Sequence, residues 1–220
     1  MAHFRGVLFD LDGTLLDTAP DMAGALNRLL EEENHPALPL ERIRPEVSRG
    51  AGGLIRLGFG LEPDHPQAAD LRQRFLSHYQ RNICRETRLF HGMEAVLTMF
   101  EQAEIPWGIV TNKPAYLTEP LVAALELDTR SACIISGDTT AHSKPHPLPV
   151  LTACEQIGCS PSEALFIGDD ARDVAAGRAA GATNLIALFG YLGVRSEPET
   201  WGADGSVSHP GEILSWVFGT

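Results

Sequence analysis

The sequence has few of the residues that would indicate a disulfide-rich, zinc-binding or nucleic-acid-binding protein. Its four cysteines are scattered and form no Cys-x-x-Cys pair, so neither a disulfide framework nor a zinc knuckle is indicated. Basic residues are also scarce, with 17 Lys and Arg against 29 Asp and Glu, a net charge of −12. Such a surface repels phosphodiester backbones and anionic lipid heads, so we expect no nucleic-acid or membrane partner. A small anionic substrate is still possible, because a local cation can reverse the field inside a pocket.

Long apolar runs are missing as well. No stretch approaches the roughly 20 apolar residues that a membrane-spanning helix needs. Asp10 and Asp12 interrupt the first apolar run before it could form a signal peptide. With 220 residues, 44% hydrophobic and 21% charged, the chain is long enough for one folded core with an inserted module. We therefore expect a cytoplasmic globular protein, monomeric or homodimeric.

Short apolar runs alternate with helical patterns along most of the chain. The runs lack polar alternation, as is typical of strands buried on both faces of a parallel sheet. Predicted strands are Gly6–Phe9, Pro106–Val110, Ala132–Ser136, Ala164–Ile167 and Asn184–Phe189, and predicted helices are Gly92–Ala103, Ala115–Leu125, Leu148–Ile157 and Ala171–Ala180. Alternating strands and helices imply right-handed crossovers, and hence a doubly wound α/β core.

The stretch from Asp17 to Arg88 breaks this alternation. It shows no strand pattern, but one helix beginning near Pro20 and a second over Gln67–Cys84, with the turn-rich segment Ser48–Gly53 between them. A helical block of this size is too long for a plain crossover loop. We therefore predict an all-helical cap domain at residues 17–88, inserted into a core domain made of residues 1–16 and 89–220.

Polar residues cluster where the predicted strands end. In an open α/β sheet the binding site lies at the carboxyl ends of the strands, and the residues there are Asp10, Asp12, Thr111, Asn112, Asp169, Asp170 and Asp173, with Lys144 in a following loop. Clustered carboxylates repel unless a cation compensates. Oxygen ligands without His or Cys favour a hard ion, Mg²⁺ most naturally when phosphate is also bound.

Asp10 and Asp12, which follow the first strand, can take two different chemical roles. Side chains alternate along a strand, so Asp10 and Asp12 can face one pocket only if Asp10 ends the strand and Asp12 begins a turn. Gly13 permits a left-handed backbone there, and we expect the Thr14 hydroxyl to bond to turn amides. A metal-bound carboxylate can then act as nucleophile while its neighbour keeps a proton to donate.

These residues resemble the motifs of the haloacid dehalogenase superfamily in its phosphatase form. The similarity covers nearly the whole chain, and it lies in four segments in the family's order: Asp10–Leu15, Val110–Asn112, Lys144–Pro145 and Gly168–Asp173. The helical insert resembles the cap of phosphoglycolate phosphatases and β-phosphoglucomutases. Within that group, Trp107–Pro114 and Trp201–Asp204 look most like the N-acetylmuramic acid 6-phosphate phosphatases.

The resemblance implies a role for each motif residue. Asp10 would be the nucleophile that forms an aspartyl-phosphate, and Asp12 the general acid and then the base that activates water. Magnesium would be held by the Asp10 side chain, the Asp12 carbonyl and Asp169, with Asp173 or Asp170 orienting its waters. Phosphoryl oxygens would be bound by Thr111, the Asn112 amide and Lys144, which also serve catalysis through charge stabilisation. A carboxylate at Asp12 argues against dehalogenation, because halide leaves without a proton.

The predicted substrate is a small carboxylate-bearing phosphate ester, either phosphoglycolate or N-acetylmuramic acid 6-phosphate. Arg49 is the candidate ligand for the carboxylate, although a solvated surface arginine is an equal alternative. His142 and His146 flank Lys144 and could line the site, and Asp138 could take part. A phosphomutase of the β-phosphoglucomutase kind and a non-catalytic sugar-phosphate sensor are the competing functions.

Overall fold

The chain is built around a parallel sheet, in a computed structural model that describes residues 4–193 and 196–219. Eight strands lie in those ranges: β1 (Gly6–Phe9), β2 (Leu16–Asp17), β3 (Arg88–Leu89), β4 (Trp107–Val110), β5 (Cys133–Ile135), β6 (Ala164–Gly168), β7 (Thr183–Ala187) and β8 (Gly205–Val207). Six of them form one sheet in the order β5-β4-β1-β6-β7-β8, with every neighbouring pair parallel. The predicted doubly wound α/β class is confirmed.

Helices cover the sheet and fill the insert. Nine α-helices lie in the described ranges: α1 (Ala19–Glu32), α2 (Leu40–Ile43), α3 (Gly50–Phe59), α4 (Ala68–Arg81), α5 (Met93–Gln102), α6 (Ala115–Ala124), α7 (Leu148–Ile157), α8 (Ala171–Ala180) and α9 (Ile213–Phe218). A 3-10 helix over Arg44–Arg49 joins α2 to α3. In the described part of the chain, none of these helices combines the length and hydropathy that crossing a membrane requires.

The central strand shows why the sheet is buried on both faces. All four residues of β1 are buried, and successive side chains of a strand point to opposite faces. Phe9 accordingly packs with Trp107 and Phe100 in one apolar cluster, while Leu8 packs with Phe166 in another. A helical layer therefore covers each face, and only the strand ends are left for polar groups.

Two details of the sheet were not predicted. Strand β8 adds a parallel edge next to β7, with Leu185 opposite Gly205. This strand has only three residues, including Gly and Ser, so its hydrophobic pattern is too weak to predict a strand. Strands β2 and β3 form a separate antiparallel pair in which Asp17 lies opposite Arg88. These are the two connections of the helical insert, so the chain enters and leaves the insert side by side.

The prediction of a turn over Ser48–Gly53 was wrong. Ser48 and Arg49 end the 3-10 helix, and Gly50 begins α3. Glycine disfavours a helix by about 1 kcal/mol relative to alanine, but Leu54 and Ile55 of this helix are fully buried in the insert. Tertiary packing therefore overrides the local propensity.

The insert has its own apolar core. Helices α1 to α4 contribute buried side chains to one cluster, among them Leu26, Leu29, Leu54, Phe75 and Tyr79. Between Asp17 and Arg88 the structure contains helices and no strand, as predicted. Leu117 and Tyr191, from outside the insert, also join this cluster. The insert thus packs against the rim of the sheet.

Candidate active site

The carboxyl ends of the central strands meet at one cavity of about 480 Å³. Backbone ladders place its residues: the Asp10 N–H donates to the Ile167 carbonyl at 2.8 Å, and the Thr111 N–H donates to the Ile135 carbonyl at 2.9 Å. Of the predicted site residues, seven line this cavity together with Arg49: Asp10, Asp12, Thr111, Asn112, Lys144, Asp170 and Asp173. Residues far apart in the sequence therefore converge as expected.

The turn after β1 depends on Gly13. Its φ of +92° lies in the region that L-residues rarely adopt. A Cβ at this position would also overlap the carboxylate of Asp169. The Thr14 hydroxyl does not bond to turn amides as expected but donates to Asp169 Oδ1 at 3.3 Å. Because the backbone of this turn passes so close to Asp169, the Thr14 side chain reaches the acidic cluster directly.

Lys144 is the buried cation of the site. Its Nζ lies 2.7 Å from Asp10 Oδ1 and 2.6 Å from Asp173 Oδ1, and it donates to the Val110 carbonyl at 2.7 Å. The side-chain amide of Asn112 holds the lysine's backbone, accepting from Lys144 N at 2.9 Å and donating to Lys144 O at 2.8 Å. Burial alone would lower the pKa of this ammonium, but the two carboxylates outweigh it and raise the pKa. Lys144 is therefore firmly charged.

Three carboxylates lie close enough to one another to share a metal ion. Asp10, Asp169 and Asp173 can each offer one oxygen, all within 4.8 Å of one another. Burial raises the pKa of Asp10 to about 7, although Lys144 opposes the shift. Burial, followed by the charges of Asp10 and Asp173, holds the pKa of Asp169 well above its ordinary range. Three carboxylates and one ammonium have a formal charge of −2, which is the charge that one divalent cation neutralises. The donor set therefore fits Mg²⁺.

Asp169 is fixed from three directions. Besides Thr14, its Oδ2 accepts from the Ser48 hydroxyl at 2.8 Å and from the Tyr191 N–H at 2.8 Å. Ser48 belongs to the helical insert, and Arg172 of α8 donates in turn to the Ser48 carbonyl. Neither Ser48 nor Tyr191 was predicted as a site residue. Ser48 is therefore the point at which the insert touches the acidic cluster.

Asp12 faces a different partner. Its carboxylate accepts from Lys113 Nζ at 2.8 and 2.9 Å and from the Thr18 hydroxyl at 2.6 Å. Lys113 was missed by the sequence reasoning, although a lysine directly after Thr111 and Asn112 was a usable signal. Its ammonium also lies 4.7 Å from the centre of the Tyr79 ring, a cation–π contact. Asp12 and Asp10 thus belong to separate ion pairs within one cavity.

Two further predicted residues lie at the cavity wall with partners of their own. Asp170 caps α8 and pairs with Arg172 at 2.7 Å, and it lies outside the three-carboxylate cluster. Arg49 pairs with Glu46 at 2.9 Å and keeps about half of its side chain exposed.

The other candidate residues, which follow strand β5, do not line the cavity. The rings of His142 and His146 contact each other in a tilted arrangement, with ring centres 4.3 Å apart, beside a separate surface depression. Asp138 accepts from the Ala115 N–H at 2.8 Å at the start of α6, so it is a turn residue that caps a helix.

Known proteins resemble this chain over almost its entire length. An N-acetylmuramic acid 6-phosphate phosphatase of Pseudomonas aeruginosa is 41% identical over 212 residues, 96% of this chain and 94% of the relative. A phosphoglycolate phosphatase of Xanthomonas campestris is 42% identical over 209 residues, 95% of this chain and 94% of the relative. The crystal structure of a predicted phosphoglycolate phosphatase from Haemophilus somnus superposes with a TM-score of 0.84 at 26% identity, covering 98% of both chains. The sequence model for haloacid dehalogenase-like hydrolases matches residues 7–187, and the chain belongs to that family.

Proposed function

We propose that this protein is a Mg²⁺-dependent phosphomonoester hydrolase that works through an aspartyl-phosphate on Asp10. The observation that carries the proposal is the buried cluster of Asp10, Asp169 and Asp173, two of which pair with the Lys144 ammonium. Asp12 lies beside it in the same cavity, as an acid–base catalyst requires. Membership of a hydrolase family, with relatives called phosphatases, supports the same chemistry.

The metal would be held by Asp10, Asp169 and Asp173, with the Asp12 backbone carbonyl as a further ligand. When bound, it would offset the negative charge that otherwise opposes the approach of a phosphate dianion to a carboxylate. Bound metal would also keep Asp10 ionised at neutral pH, where burial otherwise favours its protonated form.

The residues of the chain divide the reaction between them. Asp10 attacks phosphorus, and a bond forms from its oxygen as the bond to the leaving alkoxide breaks. Asp12 gives its proton to that alkoxide and then removes a proton from the water that hydrolyses the aspartyl-phosphate. In this structure Lys113 and Thr18 donate to the Asp12 carboxylate, and these contacts orient it in the cavity.

Residues at the rim of the sheet would bind the phosphoryl group. Thr111 Oγ and the Asn112 backbone amide would donate to its oxygens, since the Asn112 side chain is engaged with Lys144. Lys144 would contact Asp10 and the phosphoryl group together. Such fixed donors stabilise charge as it moves during transfer, at no cost of reorganisation.

Residues 17–88 would act as a cap over this rim, with residues 1–16 and 89–220 as the core. The contact of Ser48 with Asp169 and the cavity walls contributed by the insert support this division. A closed cap excludes water and presents its side chains to the leaving group. Cytoplasmic location and a monomeric or homodimeric state remain predictions.

The substrate class that we propose is a phosphate ester with a carboxylate on the leaving group, such as phosphoglycolate or N-acetylmuramic acid 6-phosphate. Both are named for relatives of similar identity. Arg49 at the cavity wall remains a candidate ligand for that carboxylate. A phosphomutase would return the phosphoryl group to the sugar, so stoichiometric release of inorganic phosphate distinguishes the two reactions.

The test measures phosphate release from p-nitrophenyl phosphate, phosphoglycolate, N-acetylmuramic acid 6-phosphate and hexose phosphates, with Mg²⁺ and with EDTA. We expect turnover that EDTA abolishes and that Asp10→Asn lowers at least about 10³-fold. Asp64→Asn, in an exposed loop of the insert, removes the same charge away from the cavity and serves as the control. Full activity in EDTA or in Asp10→Asn would contradict the proposal.

A further inference from the structure

One cation at the cavity wall has no partner among the residues that the structure describes. Five basic residues line the cavity, and four of them are paired with carboxylates: Lys144 with Asp10, Lys113 with Asp12, Arg172 with Asp170 and Arg49 with Glu46. The fifth, Arg72 of α4, makes no hydrogen bond or ion pair with any described residue. Within the described chain, Arg72 is thus the lining cation whose charge is free to meet an anion from outside.

Arg72 lies where the cavity continues over the surface of α4. A second depression of about 370 Å³ shares Arg72, Leu76 and Tyr116 with the first and extends to Gln73 and Gln80. Leu76 is half-buried, and the Tyr116 ring at the start of α6 is 46% exposed. The shared wall therefore offers a guanidinium, an aliphatic side chain and an aromatic face side by side.

This wall differs chemically from the phosphate end. Around Asp10 the Lys144 ammonium is buried and already paired with Asp10 and Asp173, so an anion there must replace existing contacts or join a metal. At Arg72 the guanidinium can bind a carboxylate in a bidentate manner without losing a partner. An exposed aromatic ring next to it favours the apolar face of a ring or an alkyl group. The cavity alone is in the size range of sites for drug-sized ligands, far larger than a two-carbon acid needs.

We propose that Arg72, Leu76 and Tyr116 form a leaving-group subsite that binds a carboxylate together with an apolar ring face. The inference rests on the proposed phosphatase function and narrows its substrate class to phosphate esters of ring-bearing acids. Arg72 binds the carboxylate, and Tyr116 and Leu76 contact the ring. Phosphoglycolate, which has no such ring, uses only part of this subsite.

The experiment compares N-acetylmuramic acid 6-phosphate with N-acetylglucosamine 6-phosphate, which has the same ring without the carboxylate. The quantity is the ratio of their kcat/KM values in the holoenzyme with Mg²⁺. We expect Arg72→Gln to lower this ratio about tenfold, because the charge-assisted pair exists with one substrate only. Arg81→Gln is the matched control: it lies on the same helix, nine positions and therefore about two and a half turns away, and lines no part of either depression. It should leave the ratio unchanged.

Tyr116 is tested separately with the same assay. Tyr116→Ala should lower kcat/KM for both sugar phosphates relative to phosphoglycolate by about fivefold, whereas Tyr116→Phe, which keeps the ring, should not. Two results would overturn the assignment of Arg72 and leave the proposed function intact. One is an unchanged ratio of kcat/KM values in Arg72→Gln, and the other is a tenfold fall of that ratio in Arg49→Gln instead. Absence of phosphate release from every ester, p-nitrophenyl phosphate included, would overturn the proposed function and this inference with it.

Discussion

Replacing Lys144 with methionine tests the electrostatic logic of the site most directly. The ammonium compensates Asp10 and Asp173 at 2.7 and 2.6 Å in a nearly fully buried position. Methionine keeps a similar length and volume, so the substitution removes the charge and little of the packing. What remains is a group of buried carboxylates without a cation.

Removing one partner of a buried ion pair costs about 3–5 kcal/mol. The cost depends on pH, because a carboxylate can escape it by taking up a proton. Burial already raises the pKa of Asp10 to about 7, and losing Lys144 removes the charge that opposes this shift. A raised pKa means that the folded state binds more protons than the unfolded state, so stability falls as pH rises through that window. The deficit of the variant should therefore be larger at pH 8 than at pH 5.5.

The assay is urea unfolding of the metal-free protein at both pH values, for wild type, Lys144→Met, Asp10→Asn and the double variant. We expect a deficit of about 3–5 kcal/mol at pH 8 in the single lysine variant. Adding Asp10→Asn should restore part of it, since one orphaned charge disappears, and the coupling energy follows from the double-mutant cycle. A deficit that is independent of pH, or additive behaviour of the two substitutions, would refute the reasoning.

Four other predictions address the turn, the contacts of Tyr191, the metal and the cavity wall. Gly13→Ala should destabilise the fold by about 1–3 kcal/mol, measured by thermal unfolding, because its φ is +92° and Asp169 leaves no room for a Cβ. Tyr191→Phe should cost about 1–3 kcal/mol in the same assay, because its hydroxyl donates to Asp17 at 2.7 Å and accepts from a backbone N–H at 2.9 Å. Magnesium at 100 times its Kd should stabilise the protein by about 2.7 kcal/mol, and the rise in Tm should be larger at pH 8 than at pH 5.5, where protons compete for the carboxylates. Arg49→Ala should change KM for an anionic ester and for p-nitrophenyl phosphate equally, because the Arg49 guanidinium is already paired with Glu46 at 2.9 Å.

Each of these has a contrary result. If Gly13→Ala were as stable as the wild type, the turn would relax to accept a side chain. If Tyr191→Phe were as stable as the wild type, the tyrosine hydroxyl would contribute no net stability. A magnesium effect that is equal at both pH values would show that protons and metal do not share the cluster. A much larger rise in KM for the anionic ester than for p-nitrophenyl phosphate in Arg49→Ala would make Arg49, and not Arg72, the ligand of the carboxylate.

Much of the core could be predicted because the signals are local. Apolar runs that are followed by Gly, Asp or Thr placed five strands of the main sheet within one or two residues of their bounds. The helices α7 and α8 lie where their patterns indicated. Asp10, Thr111 and Lys144 share one cavity because parallel strands bring their carboxyl ends to the same edge.

Other features depend on neighbours that no local pattern shows. The glycines of α3 form a helix because Leu54 and Ile55 must be buried in the insert. Lys113 meets Asp12 across 101 positions of the chain, and Ser48 meets Asp169 across 121. Nothing in the local sequence marks Ser48 as a site residue, whereas Lys113 directly follows Thr111 and Asn112.

The sequence by itself determined five strands of the main sheet and the helices between them, the turn at Gly13 and the set of carboxylates at the sheet edge, because hydrophobic period and backbone conformation act between near neighbours. Tertiary structure alone decided which cation neutralises which carboxylate and which one stays unpaired. That outcome depends on distances of a few ångströms between distant segments, where burial makes each charge strongly dependent on its immediate partner.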